Sequence, residues 1–241
     1  LDRVDLHAPI GELVVGAPDS WRLALDKWGI DYCCNGRSSL EEASRNAGVD
    51  PVEVWAALDA SEAASAPEDR VNPANLTMSE LADHIEATHH AYLQVELPRL
   101  AGLMEKVADV HGDDFPWVAE LAQVFGGLVA ELESHMMKEE QILFPMVRQL
   151  ETALTAPEFH CGTVLNPIGV MEMEHESAGG ALRRLRELSS GYQPPLGACV
   201  TFRALLEGLE RLEMDMHDHI HKENNILFVN ARGAERQLRE P

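Results

Sequence analysis

A ten-residue pattern occurs twice in the chain: His135-Met136-Met137-Lys138-Glu139-Glu140-Gln141-Ile142-Leu143-Phe144, and again His219-Ile220-His221-Lys222-Glu223-Asn224-Asn225-Ile226-Leu227-Phe228. In both copies a histidine is followed four residues later by a glutamate, and then by Ile-Leu-Phe at the same offset. Four residues advance a helix by about 400°, so imidazole and carboxylate stand one turn apart on one face. A single such pair is commonly an ordinary helix side-chain contact. Two copies in matched surroundings point to a pair of metal ligands.

The match extends upstream. His90 is followed at seven, nine and ten residues by Leu97, Arg99 and Leu100, and His175 at the same offsets by Leu182, Arg184 and Leu185. His90 lies 45 residues before His135, and His175 lies 44 before His219. The register of Leu-x-Arg-Leu selects His90 over its neighbour His89. The chain thus reads as two related helical hairpins, each offering one histidine and one His-x-x-x-Glu pair. Paired, they aim four imidazoles and two carboxylates inward from four helices.

Helix punctuation supports an all-α fold: an up-down-up-down four-helix bundle preceded by a small helical N-terminal domain. Thr77 and Glu80 form a capping box for a helix running to about Val110 with a bend at Pro98. Asp114 and Pro116 open a second, which carries His135 and Glu139 and is bent or ended by Pro145. Asn166-Pro167 starts the third, ending near Gly191; after Pro194-Pro195 the fourth reaches about Val229. The short connections, near residues 107–115 and 189–197, lie inside each hairpin and imply antiparallel neighbours. Low aromatic content, 5%, within a 45% hydrophobic composition also favours helices over sheets.

Residues 1–60 read as the small helical domain. Asp19 caps a first helix stopped by Gly29, Ser39 and Glu42 form a capping box for a second, and Asp50-Pro51 opens a third. The loop Ile30-Asp31-Tyr32-Cys33-Cys34-Asn35-Gly36 lies between the first two. Residues 61–75, rich in Ala, Ser, Glu and Pro, read as a linker, and residues 76–241 as the bundle domain.

Composition narrows the partners. A formal charge of −22 argues against nucleic acid or an anionic membrane surface and suits a metal cation or a basic protein. No run of about 18 apolar residues predicts a membrane span. Four cysteines, two of them adjacent, make no disulfide framework, and no signal-peptide pattern is visible, so a cytoplasmic location is expected.

Imidazole and carboxylate ligands suit iron, manganese or zinc, and favour iron over magnesium or calcium. If Glu139 and Glu223 each bridged two metals roughly 3.5–4 Å apart, each metal would have two histidines and two bridging oxygens. Open positions would remain for dioxygen or nitric oxide. His111, where the first bundle helix turns back, is a candidate additional ligand. Met136, Met137, Met171, Met173, Met214 and Met216 fit adaptable core packing better than a copper-thioether site. Cys33 and Cys34 precede a capped helix, whose dipole would favour thiolates able to accept iron, with the linker letting the small domain swing. Cys161 and Cys199 read as core or loop thiols.

The duplicated bundle motif resembles hemerythrin-type domains. Asp31-Tyr32-Cys33-Cys34, together with His135 through Pro145, resembles the RIC (repair of iron centres) di-iron proteins, and the likeness spans Ile10-Gly11-Glu12-Leu13 to Phe228. The sequence departs from the family at Val229, where the second copy lacks a proline, and at Asn35, where glycine is more usual. The resemblance implies two non-haem irons, oxo- or hydroxo-bridged, held by His90, His135, Glu139, His175, His219 and Glu223. It also implies repair of iron-sulfur clusters damaged by nitrosative or oxidative stress, with damaged or apo iron-sulfur proteins as partners and Cys33 and Cys34 in iron transfer or redox. The alternatives are a nitric oxide or peroxide reductase at the same site, and a hemerythrin-like oxygen binder or sensor.

Overall fold

The structure is a computed structural model that describes residues 6–15, 17–64 and 72–239. Among these residues regular structure is helical, with one isolated bridge between Pro9 and Ser39. The helices are α1 (Ile10–Val14), α2 (Asp19–Lys27), α3 (Leu40–Asn46), α4 (Pro51–Ala64), α5 (Met78–Ile85), α6 (Ala91–His111), α7 (Trp117–Lys138), α8 (Phe144–Thr152), α9 (Leu165–Leu188), α10 (Val200–Lys222) and α11 (Phe228–Arg239). Among the described residues, no helix is long and apolar enough to cross a membrane. The chain divides into two compact units: Leu1–Ala82 with Leu150–Pro157 and His217–Pro241, and Asp83–Gln149 with Glu158–Met216.

The second unit holds the bundle. α6 packs on α7, and α7 on α9. Arg186 of α9 pairs with buried Glu213 of α10, and α10 closes the ring against α6 where Gly208 meets Leu100. A Cβ at Gly208 would lie 2.5 Å from the Leu100 side chain, which would have to shift to admit it. Partners run in opposite directions along α6 and α10, from His111–Cys199 at one end to His89–Asp215 at the other. The same holds for α7 and α9, from Glu120–Arg184 to His135–Glu174. The repeated leucines Leu97, Leu100, Leu182 and Leu185 are all buried core, while Arg99 and Arg184 reach outward to Glu96 and to Glu120 and Glu187. Met136, Met171 and Met216 are buried, whereas Met137 and Met173 are exposed, as core packing at helical spacing requires.

In the first unit α4 packs against α2 and α3, with Trp21 and Trp55 edge to face at 5.4 Å. The capping boxes at Ser39 and Thr77 form as the sequence predicts. Gly29 and Gly48 follow α2 and α3 with positive φ, the left-handed stop. Asp19 is not the first helix's cap: Pro18 holds that position, with Asp19 already in the first turn. α4 continues through Ala64, so part of the stretch read as linker is helical; residues 65–71 lie outside the described residues.

Two helices differ from the sequence reading. The fourth bundle helix does not stop near Val229 but continues as α11 to Arg239, because no proline or cap interrupts Asn230 to Arg239. α6 runs unbroken through Pro98. The interruptions are π-helical turns at Glu86–His90, Glu139–Leu143 and Glu223–Leu227. Each begins or ends on a candidate ligand, and each widens the helix by one residue where side chains must converge. Pro145 follows one of them, but Glu223–Leu227 forms with Val229 in that place, so proline is not the cause.

Candidate metal centre and its cysteine loop

The bundle unit brings four of the sequence-selected residues together. His90 ends its π turn, Glu139 begins the next, His135 lies one turn before Glu139, and His175 enters from α9. All four are buried, Glu139 completely. The Nε2 atoms of His90 and His135 each lie 3.3 Å from the same Glu139 oxygen, Oε2. His135 and His175 bring their Nε2 atoms to 3.1 Å, and donor atoms of His135, Glu139 and His175 fall within 4.8 Å of one another. Such a convergence of imidazole nitrogens on a buried carboxylate has the chemistry of a first-row metal site, since desolvated charge is tolerated inside a protein when it coordinates a cation.

Two residues not selected from the sequence set the orientation of these rings. Glu140 lies 2.9 Å from His90 Nδ1, and Glu174 lies 2.9 Å from His135 Nδ1. A carboxylate at Nδ1 fixes the proton there and turns the Nε2 lone pair inward, the usual support for a metal-binding histidine. Burial presses the Glu174 carboxyl upward, but donors on Lys138 and His135 outweigh it and hold the group below the usual carboxylate range. Phe144 stacks on the His90 ring at 5.7 Å and limits its rotation. A small cleft lined by Glu131, Leu132, Glu174 and Ala178 reaches His135 and His175.

The first unit carries the second copy. His219 and Glu223 are fully buried, with Nε2 and Oε1 3.1 Å apart. Where the first copy has Glu140 and Gln141, this one has Asn224 and Asn225, and both turn to the cysteine loop. Asn224 Nδ2 donates to the Cys33 carbonyl at 3.3 Å, and Asn225 Nδ2 lies 3.3 and 3.4 Å from the carbonyls of Cys33 and Tyr32. Gly11 and Gly36 flank the Asn225 amide, and a Cβ at either would collide with it. The loop is further closed by Gly11 N–H to Gly36 O, 2.8 Å, and by the Asp31 carboxylate accepting from Cys34 N–H at 2.9 Å.

Cys33 is not the activated thiolate that the sequence suggests. Its thiol is pushed well above the usual range, first by its contact with Cys34, 3.8 Å between sulfurs, then by burial, with Asp31 and Asp26 adding negative potential. The expected helix dipole is absent because α3 begins at Leu40, six positions beyond Cys34. Cys33, Cys34 and Asp31 nonetheless form a compact group of potential metal donors.

The remaining histidines have other partners. His89 turns to Asp215 at 2.9 Å, His217 to Asp26 at 2.7 Å, and His111 to Cys199 at 3.1 Å. His221 contacts Asn225, and burial lowers its pKa to about 4.

A helical bundle with buried histidine and glutamate donors defines a cation-binding protein of the hemerythrin class, and the hemerythrin HHE cation binding domain matches residues 81–231. A domain of unknown function (DUF542) matches residues 6–62. The iron-sulfur cluster repair protein YtfE of Edwardsiella ictaluri is 36% identical over 225 residues, 93% of this chain and 96% of that protein. The protein of the same name from Enterobacter sp. (strain 638) is 36% identical over 227 residues, 94% and 97% of the two chains. A probable iron-sulfur cluster repair protein of Haemophilus influenzae is 34% identical over 223 residues, 91% and 94%. The chain belongs to this family of hemerythrin-type iron-sulfur cluster repair proteins.

Proposed function

We propose that this chain is a cytoplasmic di-iron protein that restores damaged iron-sulfur clusters by supplying iron. His90, His135, His175 and Glu139 would hold the iron together with His219 and Glu223. The observation that carries this reading is the gathering of three buried imidazoles around Glu139, two of them 3.3 Å from its Oε2 and the third, His175, beside His135. The matched His219–Glu223 pair and the repair proteins named above support it. Bound iron would supply a redox-active cation and, as cargo, the material for rebuilding clusters.

The chain's own residues have definable tasks. Glu140 and Glu174 hold the protons of His90 and His135 on Nδ1, so that these rings offer neutral Nε2 donors. Asp31, Cys33 and Cys34 would form the hand-over point. Metal binding there releases the thiol protons, because only the thiolate is a good ligand. The raised Cys33 pKa keeps that group protonated until a cation arrives.

The test is Mössbauer spectroscopy with metal analysis on the iron-loaded protein, followed by incubation with an apo iron-sulfur acceptor and, separately, with nitric oxide. The reading requires two antiferromagnetically coupled irons per chain and iron moving to the acceptor. Nitrous oxide produced with iron retained would replace it with a reductase. One zinc per chain, or no metal after anaerobic reconstitution, would remove the di-iron centre altogether.

A further inference from the structure

Cys199 and His111 form a pair outside the group of residues proposed above to hold iron. Cys199 directly precedes α10 and is exposed, and its Sγ lies 3.1 Å from Nε2 of His111, the last residue of α6. Its carbonyl accepts the first hydrogen bond of α10, from Arg203 N–H at 3.1 Å, so Cys199 occupies the cap position of a 23-residue helix. The backbone N–H groups of Thr201 and Phe202 point at the sulfur. The His111 ring is fixed among Phe202, at 5.4 Å, and Phe115, at 6.2 Å. α6 places this pair about 30 Å from His90, at 1.5 Å rise per residue.

We propose that the Cys199–His111 pair is a thiol modification site that undergoes exchange with low-molecular-weight disulfides. The imidazole takes the thiol proton, and the Cys199 sulfur attacks one sulfur of the disulfide. A new S–S bond forms to Cys199 as the old one breaks, and the departing thiolate takes up the proton from the imidazolium. Cys199 is oxidised and one half of the disulfide is reduced, so electrons balance with no further reagent.

Geometry and charge agree. His111 bears directly on the sulfur, while the Arg203 guanidinium turns its Nε to the neighbouring Ala198 carbonyl at 3.3 Å. The hydrogen bond from His111, followed by those from the Phe202 and Thr201 backbone, lowers the thiol pKa to about 7. Cys33 is shifted the other way, and Cys161 turns its thiol towards Met146 at 3.8 Å. Exposure and thiolate character together therefore single out Cys199.

The experiment treats the full chain with glutathione disulfide, maps mixed disulfides by mass spectrometry, and follows iodoacetamide alkylation of each cysteine against pH. Cys199 is expected to be thiolated first, with an alkylation midpoint near pH 7. In His111→Gln the midpoint should rise towards about 8.5, the value of an unperturbed thiol. The exchange rate at pH 7 should fall only about threefold, because a more basic thiolate is also a better nucleophile. The midpoint is accordingly the sharper reading, and the wild-type value decides even if the variant folds poorly. A wild-type midpoint near 8.5, a midpoint indifferent to His111→Gln, or thiolation of Cys34 ahead of Cys199 would overturn the assignment.

Discussion

At the scale of single residues, the structure separates histidines that are neighbours in sequence. His90 faces Glu139 while His89 faces Asp215, though both are buried. His90→Ala should therefore abolish the coupled di-iron Mössbauer signal, whereas His89→Ala should leave it intact; equal losses would mean that the wrong ring had been chosen. The carboxylates behind the rings are next in importance. Glu174→Leu removes the acceptor at His135 Nδ1 and frees that ring to change tautomer and tilt. Losing such a support typically weakens metal binding by about 10–100-fold, readable as faster iron loss to a chelator. Unchanged iron retention would show that packing alone orients His135. No spacing rule marks Glu174, because it reaches its partner from another helix; Glu140 stands inside the repeat, but its partner His90 lies 50 positions away and no local spacing pairs them.

At the scale of elements, the periodic features were legible and the irregular ones were not. The leucine stripes, the capping boxes at Ser39 and Thr77 and the spacing of histidine to glutamate follow from helix geometry, and the structure carries all of them. The π turns escape such a reading because they are a change of hydrogen-bond register with no required residue type. The surroundings of Cys33 escape such a reading for a related reason: they are made by residues far along the chain. Asn225 lies 192 positions from Cys33, yet its amide contacts the loop carbonyls at 3.3 and 3.4 Å. Asn225→Ala would remove both contacts, each worth about 1 kcal/mol net. Opening of the loop should then become roughly 5–30-fold more frequent, the factor for one to two kcal/mol. On metal-free protein this appears as faster alkylation of Cys33 with no change at Cys161. An unaltered Cys33 rate would show that the Gly11–Gly36 backbone contact and the Asp31 turn suffice to hold the loop.

At the scale of the whole molecule, the proposed ligands are shared out between the two compact units: His90, His135, Glu139 and His175 in one, His219 and Glu223 in the other. If all six serve one centre, as proposed, iron must stabilise the chain as a whole. Free iron at a hundred times its dissociation constant adds about 2.7 kcal/mol to stability. With about 2–4 °C per kcal/mol for a chain of this size, the thermal midpoint should rise by roughly 5–10 °C on loading. The metal-free protein is the proper reference, because removing Glu139 or His219 alters buried polar packing as well as metal binding. The decisive quantity is thus the shift on loading, compared within each variant. Glu139→Gln and His219→Ala lie in different units, and each should abolish most of that shift by scanning calorimetry. If one variant lost the shift and the other kept it in full, the six residues would not form a single centre, and metal binding would belong to one unit alone.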